Sequence, residues 1–218
     1  FPDMGLTGSM VRQAGLQECK HCISGKMTAR HVERPISAKS LQAADHVHVD
    51  VFYIPGNPRA VPVLLGVDGF TNYVTWRVLK SRSLEEVKEA VFTMVLFLRN
   101  GRKGGERNFS TVHCDGEGAV KAMEDDEEAK RAGIIFAIVG NNTHERKVER
   151  KGRTIRNLAR AKFLELSDLY RVPDILKRHI LEDVVWVLNM TPNAQTNGRT
   201  PRALLTGEIR DFAEIPVS

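Results

Sequence analysis

Three carboxylates in the 218-residue sequence, Asp50, Asp115 and Glu149, lie in local contexts that suit a divalent metal ion. Asp50 lies in an alternating apolar run, and Asp115 ends a short apolar stretch just before a glycine. Glu149 opens a strongly basic helical stretch. Mg²⁺ prefers a few carboxylates together with water and phosphate oxygens. Two acids on strands and one on a helix can converge on two such ions, which is the equipment for cutting or joining phosphodiester bonds.

The elements that must position these acids follow from the spacing of apolar residues, which predicts three strands, a helix, a strand, a helix, a strand and two long helices. Turn signals such as Pro55-Gly56-Asn57-Pro58 indicate that the first three strands are antiparallel. The sequence Ser83-Leu84-Glu85-Glu86 predicts a capping box that opens the first helix. The other predicted bounds are 46–54, 61–68, 73–79, 108–115 and 133–139 for strands, and 118–132, 146–167 and 173–188 for helices. In such an antiparallel sheet we expect Asp50 to lie beside the end of the fourth strand, where Asp115 is.

We expect three regions along the chain. Residues 1–45 form an N-terminal appendage and linker, residues 46–207 a mixed α/β core, and residues 208–218 a C-terminal tail. Within the core, the acidic run Glu124–Glu128 is interpreted as the solvated face of the second helix. The run Val184-Val185-Trp186-Val187-Leu188 is apolar on every face, which is typical of core or of an oligomer contact. Cys114 is expected to be a small buried hydrophobe beside Asp115.

A Cys-x-x-Cys pair, Cys19 and Cys22, lies in the N-terminal appendage. Such a pair supplies half of a tetrahedral Zn²⁺ site. No histidine precedes Cys19, although His21 and His31 are nearby, so the zinc site is predicted to be incomplete. A redox role is less favoured, because no βαβ unit surrounds the pair.

Positive charge is concentrated on the predicted helix 146–167. The formal net charge of the chain is +5, and Glu149, Arg153, Arg156 and Arg160 share one face of this helix. A basic ridge that leads away from a metal site suits a nucleic-acid backbone, whereas a solvated helix with Glu–Arg pairs is the simpler reading of a lone helix. The candidate DNA-binding residues are Arg146, Arg150, Arg153, Arg156 and Arg160.

The longest apolar run is too short to span a bilayer, and no secretory signal is visible.

Five short sequence motifs, which we call words, resemble those of copia-type LTR retrotransposon integrases and of the catalytic core of retroviral-type integrases, and they occur in the same order along the chain. The word that contains Glu149 is the closest match, because basic residues and the sequence Ala159-Arg160-Ala161 follow the glutamate. The words are Cys19–Lys26, Val67–Phe70, Val112–Glu117, Val148–Ala161 and Thr200–Gly207.

The resemblance implies a ribonuclease-H-like five-stranded mixed sheet flanked by helices. It implies that Asp50, Asp115 and Glu149 are the catalytic and metal-binding residues for two Mg²⁺ or Mn²⁺ ions. It also implies 3′-end processing and strand transfer on double-stranded DNA, both element ends and target DNA, by a homo-oligomer in the nucleus. Arg153 and Arg156 correspond to the positions that contact donor DNA in the family.

Other readings of the acids and of the chain stay open. Asp68 also ends a strand, and Glu117 and Glu145 lie close to Asp115 and Glu149, but their local words match less well. The Asn-Gly that usually precedes the glutamate is replaced by Glu145-Arg146, and no His pair precedes the cysteines. These departures motivate an alternative: a degenerate or host-recruited integrase-like protein that only binds nucleic acid. A ribonuclease H of the same fold is a third reading, against which the basic helix and the Thr200–Gly207 word argue.

Overall fold

A computed structural model describes residues 42–54, 61–102, 109–115, 123–139, 146–167, 174–192 and 196–208. The strands are β1 (His46–Ile54), β2 (Val61–Asp68), β3 (Val74–Val78), β4 (Ser110–Asp115) and β5 (Ile134–Val139). The helices are α1 (Leu84–Gly101), α2 (Glu127–Arg131), α3 (Arg146–Ser167), α4 (Asp174–Met190) and α5 (Pro201–Thr206).

The five strands form one mixed sheet in the order β3-β2-β1-β4-β5. β1, β2 and β3 pair in antiparallel fashion, as predicted, while β4 runs parallel to both β1 and β5. The predicted five-stranded mixed sheet flanked by helices is therefore confirmed. The expectation that the first and fourth strands are antiparallel is wrong, because the chain crosses over through α1 before it enters β4, and such crossovers join parallel strands.

Helices cover both faces of the sheet. α1 packs on a face whose buried side chains include Val47, Val49 and Leu64. α3 and α4 pack on the opposite face, where Phe52 and Leu65 are buried. Because side chains alternate along a strand, the neighbours Leu64 and Leu65 serve opposite faces. We call these the α1 face and the α3 face.

The second helix is shorter than predicted within the described part of the chain. Residues 123–125 form a turn, and the helix begins only after Asp126, whose side chain accepts hydrogen bonds from the backbone N–H groups of Glu128 and Ala129. A carboxylate that satisfies these two donors is a strong helix start. Residues 124–126 therefore precede the helix, contrary to the prediction, although Glu124 and Asp125 are exposed as expected for a solvated run. The first part of that prediction, residues 118–122, lies outside the described residues.

The start of α1 departs from a full capping box. Ser83 is the N-cap, and its hydroxyl accepts from the backbone N–H of Glu86 at 3.4 Å. The reciprocal half is different, because Glu86 Oε1 accepts from the N–H of Lys80 at 3.1 Å. The carboxylate thus holds the incoming chain rather than the cap residue itself.

α4 divides its apolar run between core and surface. Val184 and Val185 are buried, whereas Trp186 and Val187 are 52% and 37% exposed. One turn further on, the side-chain amide of the buried Asn189 pairs with the backbone of Val74 as a neighbouring strand would. Asn189 Oδ1 accepts from Val74 N, and Nδ2 donates to Val74 O, both at 2.8 Å. This pair fixes α4 to the edge strand β3.

No helix in the described segments is both long and apolar enough to cross a bilayer.

Candidate active site and basic ridge

Asp50 and Asp115 occupy adjacent positions on neighbouring strands. In the parallel pairing of β1 and β4, Val49 lies opposite Cys114, so Asp50 and Asp115 are the next residues on the two strands. Paired strands are about 4.8 Å apart. Asp115 is also opposite Val139 of β5. Asp50 is partly buried, and the side chain of Asp115 lies outside the described part of the structure.

Glu149 lies in the first turn of α3, which packs across β1 and β2. Leu65 is the cross-strand partner of Asp50, and α3 rests on it through Gly152. A Cβ at position 152 would be 3.4 Å from Leu65 Cδ2, an ordinary van der Waals contact, so this turn of the helix lies directly over Leu65. Glu149 is three residues before Gly152 and hence on nearly the same side of α3. The α3 face therefore carries both Asp50 and the helix that brings in Glu149.

The carboxylate of Glu149 is held by a residue one turn along the helix. Arg153 Nη2 donates to Glu149 Oε1 at 2.9 Å, and the Glu149 side chain is 39% exposed. A pair at this spacing and exposure adds little to stability. It does fix the rotamer of the glutamate and occupies one of its two oxygens.

Three histidines lie on the same face as Asp50: His46 and His48 precede it at the start of β1, and His113 precedes Asp115 at the end of β4. His46 Nδ1 and His113 Nε2 are 2.7 Å apart, so one ring donates to the other. The ring of His48 stacks on that of His113 at a centroid distance of 4.8 Å. Sequence reasoning missed this cluster. The two-residue spacing of His46, His48 and Asp50, and of His113 and Asp115, is the signal that places them together.

Asp68, the rival strand-end acid, has a structural role. It is fully buried and accepts hydrogen bonds from Ala44 N at 2.7 Å, Thr71 N at 2.7 Å and Thr71 Oγ1 at 2.7 Å. It pairs in register with Val47, near the start of β1 and three residues before Asp50. This carboxylate holds the turn between β2 and β3.

The predicted basic residues of α3 fall into two groups. Arg150, Arg156 and Arg160 are exposed and have no ion-pair partner among the described residues, whereas Arg153 is paired with Glu149. The side chain of Arg146 lies outside the described part. We call Arg150, Arg156 and Arg160 the basic ridge.

The opposite side of α3 packs against the protein, as its partly apolar pattern predicts. Ile155 is completely buried, and Leu158 and Leu166 are partly buried in the same cluster. Burial lowers the pKa of Lys151 in the second turn of the helix. Lys162 is half-buried and forms an ion pair with Asp183 of α4.

Several predicted positions lie outside the described residues: Cys19, Cys22, Glu117 and Glu145. Among the side chains that the structure does describe, no cluster of three or more His, Cys, Asp or Glu residues is arranged to hold a metal ion. Cys114 is described and is buried in the α1 face, as predicted.

The strand order and directions, with helices on both faces, define a ribonuclease-H-like fold. More particularly, the fold is that of retroviral integrase catalytic cores, which confirms the predicted resemblance at the level of the fold. The catalytic core of HTLV-2 integrase, in a magnesium complex and a dimeric form, matches with a TM-score of 0.56 and 18% identity over 76% of this chain and 98% of that one. The BIV integrase core matches with a TM-score of 0.53 and 13% identity over 75% and 95%.

A longer match extends to nearly the whole chain. The simian T-cell lymphotropic virus intasome, in complex with the PP2A regulatory subunit B56 gamma, matches with a TM-score of 0.64 and 16% identity over 98% of this chain and 73% of that one. Neither a protein-family model nor a curated protein sequence matches the chain.

Proposed function

We propose that this protein is a metal-dependent polynucleotidyl transferase, the integrase of a copia-type LTR retrotransposon. It would process the 3′ ends of the element DNA and join them to target DNA. One observation carries the proposal: Asp50, in the middle of β1, is the register neighbour of Asp115 at the end of β4, on a sheet whose α3 face is crossed by the helix that bears Glu149.

The donor chemistry of Asp50, Asp115 and Glu149 fits Mg²⁺ or Mn²⁺. Carboxylates are hard oxygen ligands, and three of them close together repel one another unless a cation is present. Two bound ions supply activation of the attacking oxygen and stabilisation of the leaving oxygen. Glu149 would still have one carboxylate oxygen for such an ion while the other accepts from Arg153. The magnesium complex of the HTLV-2 core supports this cation class.

The basic ridge would bind the DNA backbone. Arg150, Arg156 and Arg160 follow Glu149 along α3 without described acidic partners, so their charge is available to phosphates. Each phosphate that such a side chain neutralises makes binding more salt-dependent, with a slope of about −0.9 in log K against log salt for each contact. Arg153 would contribute by orienting Glu149 and by lying beside the same backbone.

The proposal extends to assembly, zinc and location. A homo-oligomer is supported by the exposed apolar side chains on α1 and α4: Leu96, Phe97, Trp186 and Val187. The HTLV-2 cores in dimeric and trimeric forms show the same fold in assemblies. Cys19 and Cys22 would supply half of a zinc site. A nuclear location follows from chromosomal DNA as the target.

The second candidate is an integrase-like protein that binds nucleic acid without catalysis. The Glu149–Arg153 pair favours it, because an arginine that holds the glutamate can replace the cation as its partner. This candidate keeps the basic ridge and predicts salt-sensitive DNA binding without metal-dependent nicking.

The deciding experiment is a strand-transfer and nicking assay with matched element-end DNA in Mg²⁺ and in Mn²⁺. We expect the wild type to join the ends, and Glu149→Gln and Asp115→Asn to lose joining by about a hundredfold or more, since changes even in outer-shell partners of a metal site cost about 10–100-fold. DNA affinity should be retained in both variants. Glu165→Gln, an exposed acid on the same helix, is the matched control and should join like the wild type.

The outcomes separate the candidates. DNA binding by the wild type without nicking in either metal would overturn the transferase and favour the binding protein. Full joining by Asp115→Asn would refute the assigned acids. Cleavage confined to RNA–DNA hybrids would point instead to a ribonuclease H.

A further inference from the structure

A cavity of about 480 Å³ lies between the end of β1, α3 and α4, on the α3 face of the sheet. We call it the α3–α4 cavity. Its apolar wall includes Phe52, Ile155, Phe163 and Leu181. Ile155 is completely buried and Leu181 is 2% exposed, and both belong to the core cluster of this face. The wall is therefore part of the packed core, and the volume is within the range of small-molecule sites.

The mouth of this cavity is positively charged. Arg156 and Arg160 line it from one side; they are one turn apart on α3, both exposed, and without an ion-pair partner among the described residues. Lys177 of α4 lines it from the other side and lies 5.8 Å from the centroid of the Phe163 ring. The described lining contains no acidic side chain.

This combination selects a ligand with two parts. An apolar body removes the cavity wall from water, which is favourable in proportion to the area covered. A planar guanidinium forms paired hydrogen bonds with a carboxylate, sulfonate or phosphate group. A bare anion would leave the apolar wall wet, and a neutral hydrophobe would leave the arginines unpaired.

We propose that the α3–α4 cavity is a binding site for a small, soluble amphipathic anion, with its acidic head on Arg156 and Arg160 and its apolar body against Phe52, Ile155 and Leu181. The site shares Arg156 and Arg160 with the basic ridge, but it uses none of the three candidate metal ligands, and its test needs neither DNA nor metal, so its failure is distinguishable from that of the proposed function.

The test is a fluorescence titration of the full chain with 8-anilinonaphthalene-1-sulfonate, followed by displacement with sodium decanoate at concentrations at which it is monomeric. We expect saturable binding of the probe and its displacement by decanoate. 1-Decanol, which lacks the charge, should displace at least tenfold more weakly, and inorganic phosphate should not displace. Equal displacement by decanol, or displacement by phosphate alone, would overturn the proposal.

Variants locate the site. Ala159→Leu fills the cavity with a good helix-forming residue and should weaken decanoate by at least tenfold. The double variant Arg156→Gln, Arg160→Gln should weaken decanoate by at least tenfold and leave decanol unchanged. Arg150→Gln removes an exposed charge from the same helix outside the cavity and should bind decanoate like the wild type.

Two results would refute this location. One is wild-type decanoate affinity in a folded Ala159→Leu variant, with folding checked by circular dichroism melting. The other is an Arg150→Gln loss as large as that of the double variant, which would show binding by general charge. The surface double variant keeps the test decisive if Ala159→Leu does not fold.

Discussion

The two faces of the sheet carry different kinds of side chain on the same strand. On the α1 face, β1 presents Val47 and Val49 to an apolar cluster under α1. On the α3 face, the alternate residues of the same strand are His46, His48 and Asp50. Apolar packing under α1 holds this part of β1 in register, which lets the first half of the strand carry polar groups on the α3 face, while Phe52 further along joins the apolar cluster of that face.

Two aspartates show the same contrast. Asp68 shares the register position of Val47, is fully buried and has its oxygens filled by nearby N–H and O–H donors. Asp50 is only partly buried and lies beside the position of Asp115. An acid saturated with local donors stabilises a turn, whereas a partly exposed acid next to another acid is suited to a cation.

The largest expected effect separates these two aspartates. Asp50→Asn should reduce strand transfer by about a hundredfold or more while leaving the free energy of unfolding nearly unchanged. Asp68→Ala should do the reverse, and lower the free energy of unfolding by about 1–3 kcal/mol because buried donors lose their acceptor. Urea unfolding and a joining assay at equal folded concentration measure both. If Asp50→Asn joined normally and Asp68→Ala lost joining without loss of stability, the two roles would be reversed.

Leu64 and Leu65 compare the faces at adjacent positions. Each is 1% exposed, so either leucine-to-alanine change should lower the free energy of unfolding by about 2–5 kcal/mol. Only Leu65→Ala should also reduce the joining activity per folded molecule, because Leu65 lies under Gly152, one turn from Glu149. Joining is measured at a temperature where both variants remain folded. An equal loss from Leu64→Ala would mean that the site does not depend on this contact.

Gly152→Ala should change the free energy of unfolding by less, and in the opposite direction. Alanine is the better helix former by about 1 kcal/mol, and its Cβ would meet Leu65 Cδ2 at 3.4 Å, an ordinary contact distance. We expect the free energy of unfolding to rise by about 0.5–1 kcal/mol in thermal or urea unfolding. A fall instead would show that α3 needs the closer approach that only glycine allows.

The smallest effect concerns pH at the edge of the α1 face. The hydrogen bond from Lys88 of α1 holds the pKa of Asp126 below its usual range. A depressed folded-state pKa contributes stability above the unfolded pKa of about 3.9, and this contribution is lost as the pH falls through the folded value. Asp126→Asn keeps a residue type that caps helices well. The wild type should therefore have the higher melting temperature at pH 6, and the difference should shrink as the pH falls below about 3.9 and the carboxylate is protonated.

Much of the fold follows from periodicity alone. The predicted bounds of β1, β2 and α3 coincide with those of the structure, because long alternating or helical stripes leave little ambiguity. The predicted β3 is one residue too long at each end, and the predicted β4 includes Phe109, which is outside the strand. The start of α2 was wrong because a single local cap at Asp126 outweighed the broader helical pattern.

The site was predictable only in part. The adjacency of Asp50 and Asp115 depends on a parallel pairing that strand patterns cannot reveal, since the direction of β4 is set by the crossover through α1. The histidine cluster was readable from spacing but needed the same pairing to be recognised. The α3–α4 cavity depends on how two helices pack, which no local pattern encodes. The roles assigned to Asp50, Asp115 and Glu149 remain predictions.

The amide of Asn189 has a consequence beyond holding α4. β3 is an outer strand of the sheet, and outer strands offer unpaired backbone groups on which further chains can polymerise. At Val74 both of these groups are already taken by the asparagine side chain. At this position of β3 the asparagine therefore takes the place of a neighbouring strand, and a second copy of the protein cannot pair its backbone there.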